Sequence, residues 1–263
     1  MPTYDGLLDD FPGAAAAYSL RKLDRDYAGY AIRVRRASDN TEQDIGFNAS
    51  RGLDTSALAT FCSGTDGFVK TWYDQSGNGN DATQTTLGYQ PKIYDSSTGV
   101  IEEGSSGNEK PAVEFDGTND HFTKAFTLTN PVSHFVVAQA SSVGDIVIDG
   151  YGNNNRNSLY TTSATEIRLS NTTSLYQTRI NGAQAVFSSI SNGASSLLAV
   201  NGSSATGTLG TASMDGVTIG TFGTIILSFC LNGTMQEIVL YGSDQTSNRT
   251  GIEDNINDYY SIY

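Results

Sequence analysis

Two patterns of hydrophobic and polar positions divide the chain. Over roughly residues 1–60 the apolar positions come in mixed periods. Ala14 to Tyr27 opens with four alanines and continues with Leu20 and Leu23 three apart, with Arg21, Lys22, Asp24 and Arg25 as a wet side, which predicts a helix. Ala31-Ile32-Arg33-Val34-Arg35 alternates strictly and predicts a strand with an arginine face. Asp54 ahead of Thr-Ser-Ala-Leu-Ala-Thr-Phe predicts a short helix capped by that carboxylate. Phe68 to Tyr73 returns to a strand.

From Pro111 the chain reads as strand after strand. Val113 to Phe115, Val132 to Ala138, Asp145 to Asp149, Ile167 to Leu169, Ala185 to Ile190, Leu197 to Val200, Val217 to Gly220, Ile225 to Phe229 and Met235 to Tyr241 are the apolar cores. Most are separated by Asn-Gly, Ser-Asn-Gly or Asp-Gly, residues that tolerate the positive φ of tight hairpin turns. Short strands at such spacing predict an antiparallel β-sandwich. Ser247 to Tyr260, with Ile252, Ile256 and Tyr259 on one side, predicts a closing helix. No linker or repeat interrupts residues 13–263, so one domain is expected, preceded by an arm over residues 1–12.

Composition sharpens this picture. Of 263 residues, 29 are Ser, 29 Thr, 19 Asn and 28 Gly, with 5 Pro, which is turn chemistry rather than low complexity. The 15 basic and 28 acidic residues leave a net charge of −13, which repels phosphate backbones and excludes general nucleic-acid binding. No apolar run reaches the about 18 residues that would span a membrane, so no membrane partner is expected. The opening Met-Pro-Thr-Tyr-Asp-Gly-Leu-Leu-Asp-Asp has neither a basic n-region nor an apolar h-region and does not read as a signal peptide.

Candidate chemistry is sparse. Cys62 and Cys230 lack metal-ligand spacing and, in apolar settings, read as buried free thiols. His134 and Trp72 sit inside apolar strands and read as core, and Glu237 reads as a structural hydrogen-bonding residue. No H-E-x-x-H, G-x-S-x-G or P-loop is present. In Asp74-Gln75-Ser76-Gly77-Asn78-Gly79-Asn80, oxygen ligands at Asp74, Ser76, Asn78 and Asn80 alternate as in a calcium loop, with Asp116 and Asp120 as supplements. The same residues also make Asx turns without a metal, and no other cofactor is expected. Arg33, Arg35 and Arg36 form the one basic cluster. They either pair with Asp39, Glu42 and Asp44 or dock onto an acidic neighbouring subunit. Tyr4, Leu7, Leu8 and Phe11 lie outside any periodic element, which suits docking onto a partner.

Pro111-Ala112-Val113-Glu114-Phe115-Asp116-Gly117-Thr118-Asn119-Asp120 resembles the opening strand and turn of concanavalin-type sandwiches of the laminin-G-like superfamily. Val200-Asn201-Gly202, Val217 to Gly220 and Leu231 to Tyr241 are similar to their closing unit. This resemblance implies a mainly β, concanavalin-like jelly roll with short N-terminal helices and a C-terminal helix. Ala17-Tyr18-Ser19-Leu20-Arg21, Ile32 to Arg36, Ser38-Asp39-Asn40 and Thr71-Trp72-Tyr73-Asp74-Gln75-Ser76-Gly77-Asn78-Gly79-Asn80 resemble the catalytic domain of the α-L-arabinofuranosidase B family. The same strings, with Leu7-Leu8-Asp9-Asp10 ahead of them, also resemble bacteriophage virion proteins.

The arabinofuranosidase resemblance implies a catalytic Glu at Ser170, a catalytic Asp in the loop Gly220-Thr221-Phe222-Gly223, and a sugar-lining cysteine pair at Val147 and Ile148. None of these positions carries the family's residue, and Glu166 lies four residues before Ser170 on the same side of its strand. A retaining glycosidase needs two carboxylates about 5–5.5 Å apart. The leading expectation is therefore a non-enzymatic bacteriophage structural protein, a capsid decoration or tail component. Its place would be the virion, assembled in the host cytoplasm, with other virion proteins, multiple copies of itself and a host surface glycan as partners. The alternative is a glycoside hydrolase of the α-L-arabinofuranosidase B type, or a carbohydrate-binding module of the secreted type.

Overall fold

In a computed structural model the described residues are 6–152, 156–223 and 229–263. Two antiparallel sheets enclose the main core. The first runs in the order Ala16–Ser19, Asn232–Tyr241, Val132–Ala140, Gln184–Ser191, Ser196–Val200 and Ser203–Gly207. Val113–Asp116 shares an edge of Asn232–Tyr241 with Ala16–Ser19. The second runs Glu42–Ile45, Ile32–Arg36, Gly67–Trp72, Ala82–Thr83, Phe122–Leu128, Met214–Ile219, Ile146–Asp149, Ser158–Ser163, Glu166–Asn171 and Thr173–Thr178. Lys92–Asp95 pairs with strands of both sheets and ties them along one side. The mainly β antiparallel sandwich expected from the turn spacing is what forms.

The first sheet is covered on both faces, and this explains its composition. Val136, Ala138, Ile238 and Leu240 point into the main core with Trp72, Phe122, Val217 and Leu169. Phe135, Val137, Val239 and Tyr241 point the other way, against Ile252, Ile256 and Tyr260 of the helix Arg249–Tyr260. Strands buried on both faces lose the polar alternation, so Val132–Ala140 is a nearly continuous apolar run. The second sheet keeps one wet face at its far end, where Glu166–Asn171 alternates between half-buried and buried positions.

Ala14 to Tyr27 is not a helix: Ala16–Ser19 is a strand, and Arg21 bridges Gly52. Tyr18 enters the main core and Ala17 the outer cluster, so the small alanines fit a strand pressed between layers. Packing on both sides outweighs a helix propensity of a few tenths of a kcal/mol per residue. The short helix Thr55–Phe61 forms as expected, with the Asp54 carboxylate accepting from Ala57 N at 3.0 Å. The strand expected at Ile225 to Phe229 falls largely on residues 224–228, outside the described residues.

The arm is corrected by its burial. Leu7 and Leu8 lie in a one-turn helix, Leu7–Asp10, and are buried against the outer cluster. The Phe11 carbonyl accepts from the Tyr241 hydroxyl at 2.7 Å. These three side chains close the fold rather than present a docking surface, and Tyr4 lies outside the described residues. Cys62 and Cys230 are buried and form no disulfide, and Trp72 is fully buried, as read from the sequence. His134 is core as well, contacting Ser189 Oγ at 3.1 Å and Met214 Sδ.

Candidate active site

The wet face of the second sheet holds a cleft of about 330 Å³. It is built by Ser158 and Tyr160, by Ser170, Asn171 and Thr172, and by Arg156, Ala212 and Phe222 from flanking loops. Ser158 lies opposite Ser170, and Tyr160 opposite Arg168, in the antiparallel register of their strands. Period-two alternation therefore brings Ser158, Tyr160, Arg168 and Ser170 to one face while Leu159, Ile167 and Leu169 enter the core.

Asp149, the last residue of its strand, stands behind the cleft wall with no exposed surface. Its carboxylate accepts from Ser158 Oγ at 2.6 Å, Arg156 Nε at 2.8 Å, Gly150 N at 2.9 Å and Gly223 N at 3.0 Å. Arg156 Nη2 is 2.6 Å from the same carboxylate. Charge-assisted bonds of this kind lock side-chain orientation. The Phe222 loop approaches because residue 223 is glycine, since a Cβ there would sit 1.9 Å from the Gly150 carbonyl oxygen.

The apolar side is aromatic. The Arg156 guanidinium lies 4.3 Å from the centre of the Phe222 ring, and Tyr160 meets Phe222 edge-on at 6.1 Å. Burial pushes the Tyr160 phenol upward, opposed by Arg168, so it holds its proton at neutral pH. Asn171 is 1 % exposed, and its amide nitrogen donates to Asn157, Ser191 and the Ala212 carbonyl. Its Oδ1 is buried and has no hydrogen-bond partner among the described residues. Beside it Thr172 holds a φ of 60°, strained for a β-branched residue.

The cleft thus contains Ser170, matched to the family's Glu, and Phe222, one residue of the loop 220–223 matched to the family's Asp. Val147 and Ile148, matched to the cysteine pair, are buried in the core. Glu166 accepts from Thr162 Oγ1 at 2.5 Å and lines a separate polar groove with Tyr176 and Thr178. Sequence reasoning missed Asp149, Arg156 and Ser158. The available signal was an Asp ending an apolar strand, followed by a lone Arg in an Asn/Gly-rich loop.

The remaining candidates lie elsewhere. Arg33 pairs with Asp44 through two contacts of 2.7 Å, and Arg36 pairs with Asp39. Arg35 is buried, bonded to Gln90 and Asn40, and Glu42 takes Lys70 instead. The Asp74 carboxylate accepts from Ala17 N, Ser76 N, Ser76 Oγ and Asn80 N, at 2.8–2.9 Å. Asn78 and Asn80 donate to the carbonyls of Ala14 and Ala15, each at 2.9 Å. The loop thereby stitches down the first strand. Asp116 accepts from Thr118 N and Asn119 N, while Asp120 accepts from Asp116 N. Among the described residues no three His, Cys, Asp or Glu side chains converge as metal ligands, so Asp74 does not meet Asp116 and Asp120.

Fold and cleft together define a β-sandwich domain with a polar cleft on one sheet face. The family model of the α-L-arabinofuranosidase B catalytic domain matches residues 9–193, and the chain belongs to that family. Curated relatives include α-L-arabinofuranosidase B of Emericella nidulans, 34% identical over 161 residues covering 57% of this chain and 32% of that protein. The enzyme of Aspergillus niger is 31% identical over 155 residues, covering 55% of this chain and 31% of the relative. The match thus spans about a third of these relatives' length. Among solved structures, a GH54 a-l-arabinofuranosidase soaked with a cyclic sulfate inhibitor superposes with a TM-score of 0.71 at 21% identity, covering 94% of this chain and 63% of that one. An arabinofuranosidase complexed with arabinofuranosyl-alpha-1,2-xylobiose gives 0.69 at 20% identity, with the same coverage.

These matches correct the leading expectation. The family is a catalytic one and the relatives are fungal arabinofuranosidases, so the reading as a non-enzymatic capsid or tail component, and with it the virion location, is overturned. The matches carry the arabinofuranosidase half of the resemblance, and none of them carries its concanavalin-type or bacteriophage half.

Proposed function

We propose that this chain is a glycoside hydrolase acting on α-L-arabinofuranosides, with the sugar bound in the Arg156–Phe222 cleft. The observation that carries the reading is the position of the cleft. Arg156, Ser158, Tyr160, Ser170, Asn171 and Thr172 all fall inside the residues matched by the catalytic-domain family, with a carboxylate directly behind them.

Hydrolysis breaks the anomeric C–O bond, joins a water oxygen to the anomeric carbon, moves a proton from that water and returns one to the leaving oxygen. Asp149 receives the water's proton through the Ser158 hydroxyl, 2.6 Å away. Tyr160, whose phenol burial raises, keeps its proton and hydrogen-bonds the leaving oxygen, which takes its proton from solvent water. Arg156 and Ser170 orient the sugar hydroxyls, and the Phe222 ring covers its C–H surface.

The test is release of 4-nitrophenol from 4-nitrophenyl α-L-arabinofuranoside. Asp149→Asn is expected to lower turnover at least about 100-fold. Tyr160→Phe, which retains the ring, is expected to lower it as well. A purified, folded chain that releases no 4-nitrophenol above the uncatalysed rate overturns the proposal.

A further inference from the structure

The face that carries the cleft continues beyond it. Ser158–Ser163, Glu166–Asn171 and Thr173–Thr178 form an antiparallel meander whose register places Tyr160, Arg168 and Tyr176 in one row across three neighbouring strands. The Arg168 guanidinium sits between the two tyrosines, 5.3 Å from the Tyr160 ring centre and 5.6 Å from that of Tyr176. Arg168 Nε donates to Ser174 Oγ at 2.7 Å, which holds the guanidinium in place. On the far side of this row lies the groove of Glu166, Thr178 and Ser163.

Three features say what this surface takes. Tyr176 is 45 % exposed and Tyr160 half-buried, so aromatic area beside the Arg168 guanidinium faces solvent on the sheet. One arginine and one glutamate balance in charge, and the remaining groups are hydroxyls and an amide, which disfavours phosphate or a charged peptide and suits a neutral polyhydroxylated chain. From Ser170 to Glu166 the face extends roughly 13 Å along the strand, more than one sugar ring. The surface is also continuous with the cleft through Tyr160 and Ser170.

We infer that the Tyr160–Arg168–Tyr176 row and the adjoining Glu166 groove form an extended subsite for a neutral oligosaccharide, holding the chain that bears the sugar in the cleft. The inference rests on the proposed function for what occupies the cleft, but its own test needs no turnover. Tyr176 stacks on a sugar face, and Arg168, Glu166 and Thr178 hydrogen-bond ring hydroxyls.

Titration calorimetry with an unsubstituted xylo-oligosaccharide tests it. Wild type is expected to bind, Tyr176→Ala about tenfold more weakly, as loss of one aromatic stack predicts, and Tyr176→Phe close to wild type. Circular dichroism of Tyr176→Ala establishes that the exposed change leaves the fold intact. Binding that is lost in Tyr176→Ala and kept in Tyr176→Phe supports the subsite even if no arabinofuranoside is cleaved. A wild type that does not bind the oligosaccharide, or a Tyr176→Ala variant that binds as tightly as wild type, overturns it even if arabinofuranosides are cleaved.

Discussion

Arg21 and Glu237 form an ion pair inside the protein: Nε to Oε2 is 2.7 Å and Nη2 to Oε1 is 2.9 Å, with side chains 1 % and 0 % exposed. Ser19 Oγ adds a 2.8 Å bond to Glu237, and the Tyr259 and Tyr260 rings flank the guanidinium. The pair ties the first strand to the last strand and the closing helix, so Glu237 is structural rather than a general acid. Removing one partner strands a buried charge, and Glu237→Gln is expected to cost about 3–5 kcal/mol of stability. Denaturant unfolding measures this, and a loss below about 1 kcal/mol would show the pair to be dispensable.

Asp120 makes stability fall as pH rises. Burial, with Asp116 and Glu114 adding repulsion, pushes its carboxyl up to about 7, whereas an unfolded aspartate titrates at about 3.9. Between these values the native state binds the extra proton. The contribution is therefore complete below about pH 4 and is lost as pH passes through about 7. Unfolding at pH 5 and pH 8 should show Asp120→Asn abolishing a wild-type loss on the order of 2 kcal/mol. An unchanged pH profile in the variant would contradict this assignment.

The two thiols should be inert in the folded protein. Burial pushes Cys62 up to about 11 and raises Cys230 as well, and the thiolate is the reactive species. At pH 8 a disulfide reagent is expected to modify neither in native protein and both after denaturation. Rapid native labelling of either cysteine would refute the burial argument.

Gly223→Ala probes the cleft from its backbone. The added Cβ would meet the Gly150 carbonyl at 1.9 Å, so the loop must retreat and the Gly223 N–Asp149 bond of 3.0 Å is lost. Turnover of 4-nitrophenyl α-L-arabinofuranoside should fall at least about tenfold, with a stability cost of about 1–3 kcal/mol from the overpacked contact. Wild-type kinetics in this variant would detach the loop from the reaction.

Much of the fold was legible in the sequence because its turns are explicit. Asn-Gly and Asp-Gly pairs mark hairpins, and strands with one wet face show their period directly. Ala16–Ser19 was not legible, since a run of alanines has helical propensity and becomes a strand only when two layers close on it. Glu42–Ile45 and Thr173–Thr178 were missed because polar strands carry little apolar pattern. Ser170 and the loop 220–223 were matched from the resemblance, and Ser170 shares the cleft with Phe222 of that loop. Asp149, Arg156 and Asn171 were not identified, because an Asp ending an apolar strand and a lone Arg in a loop acquire a joint role only when the fold pairs them.

By itself, the sequence determined a mainly β sandwich, the buried thiols and the capped helix at Asp54, all consequences of local spacing and composition. Tertiary structure decided what Leu7, Leu8, Arg33, Arg35 and Arg36 do, because burial and ion pairing depend on which distant strand arrives beside them. It also decided where the site lies. Asp149, Ser158, Asn171 and Phe222 come from four separate stretches of chain, and only the packing of the second sheet and its loops brings them to one cleft.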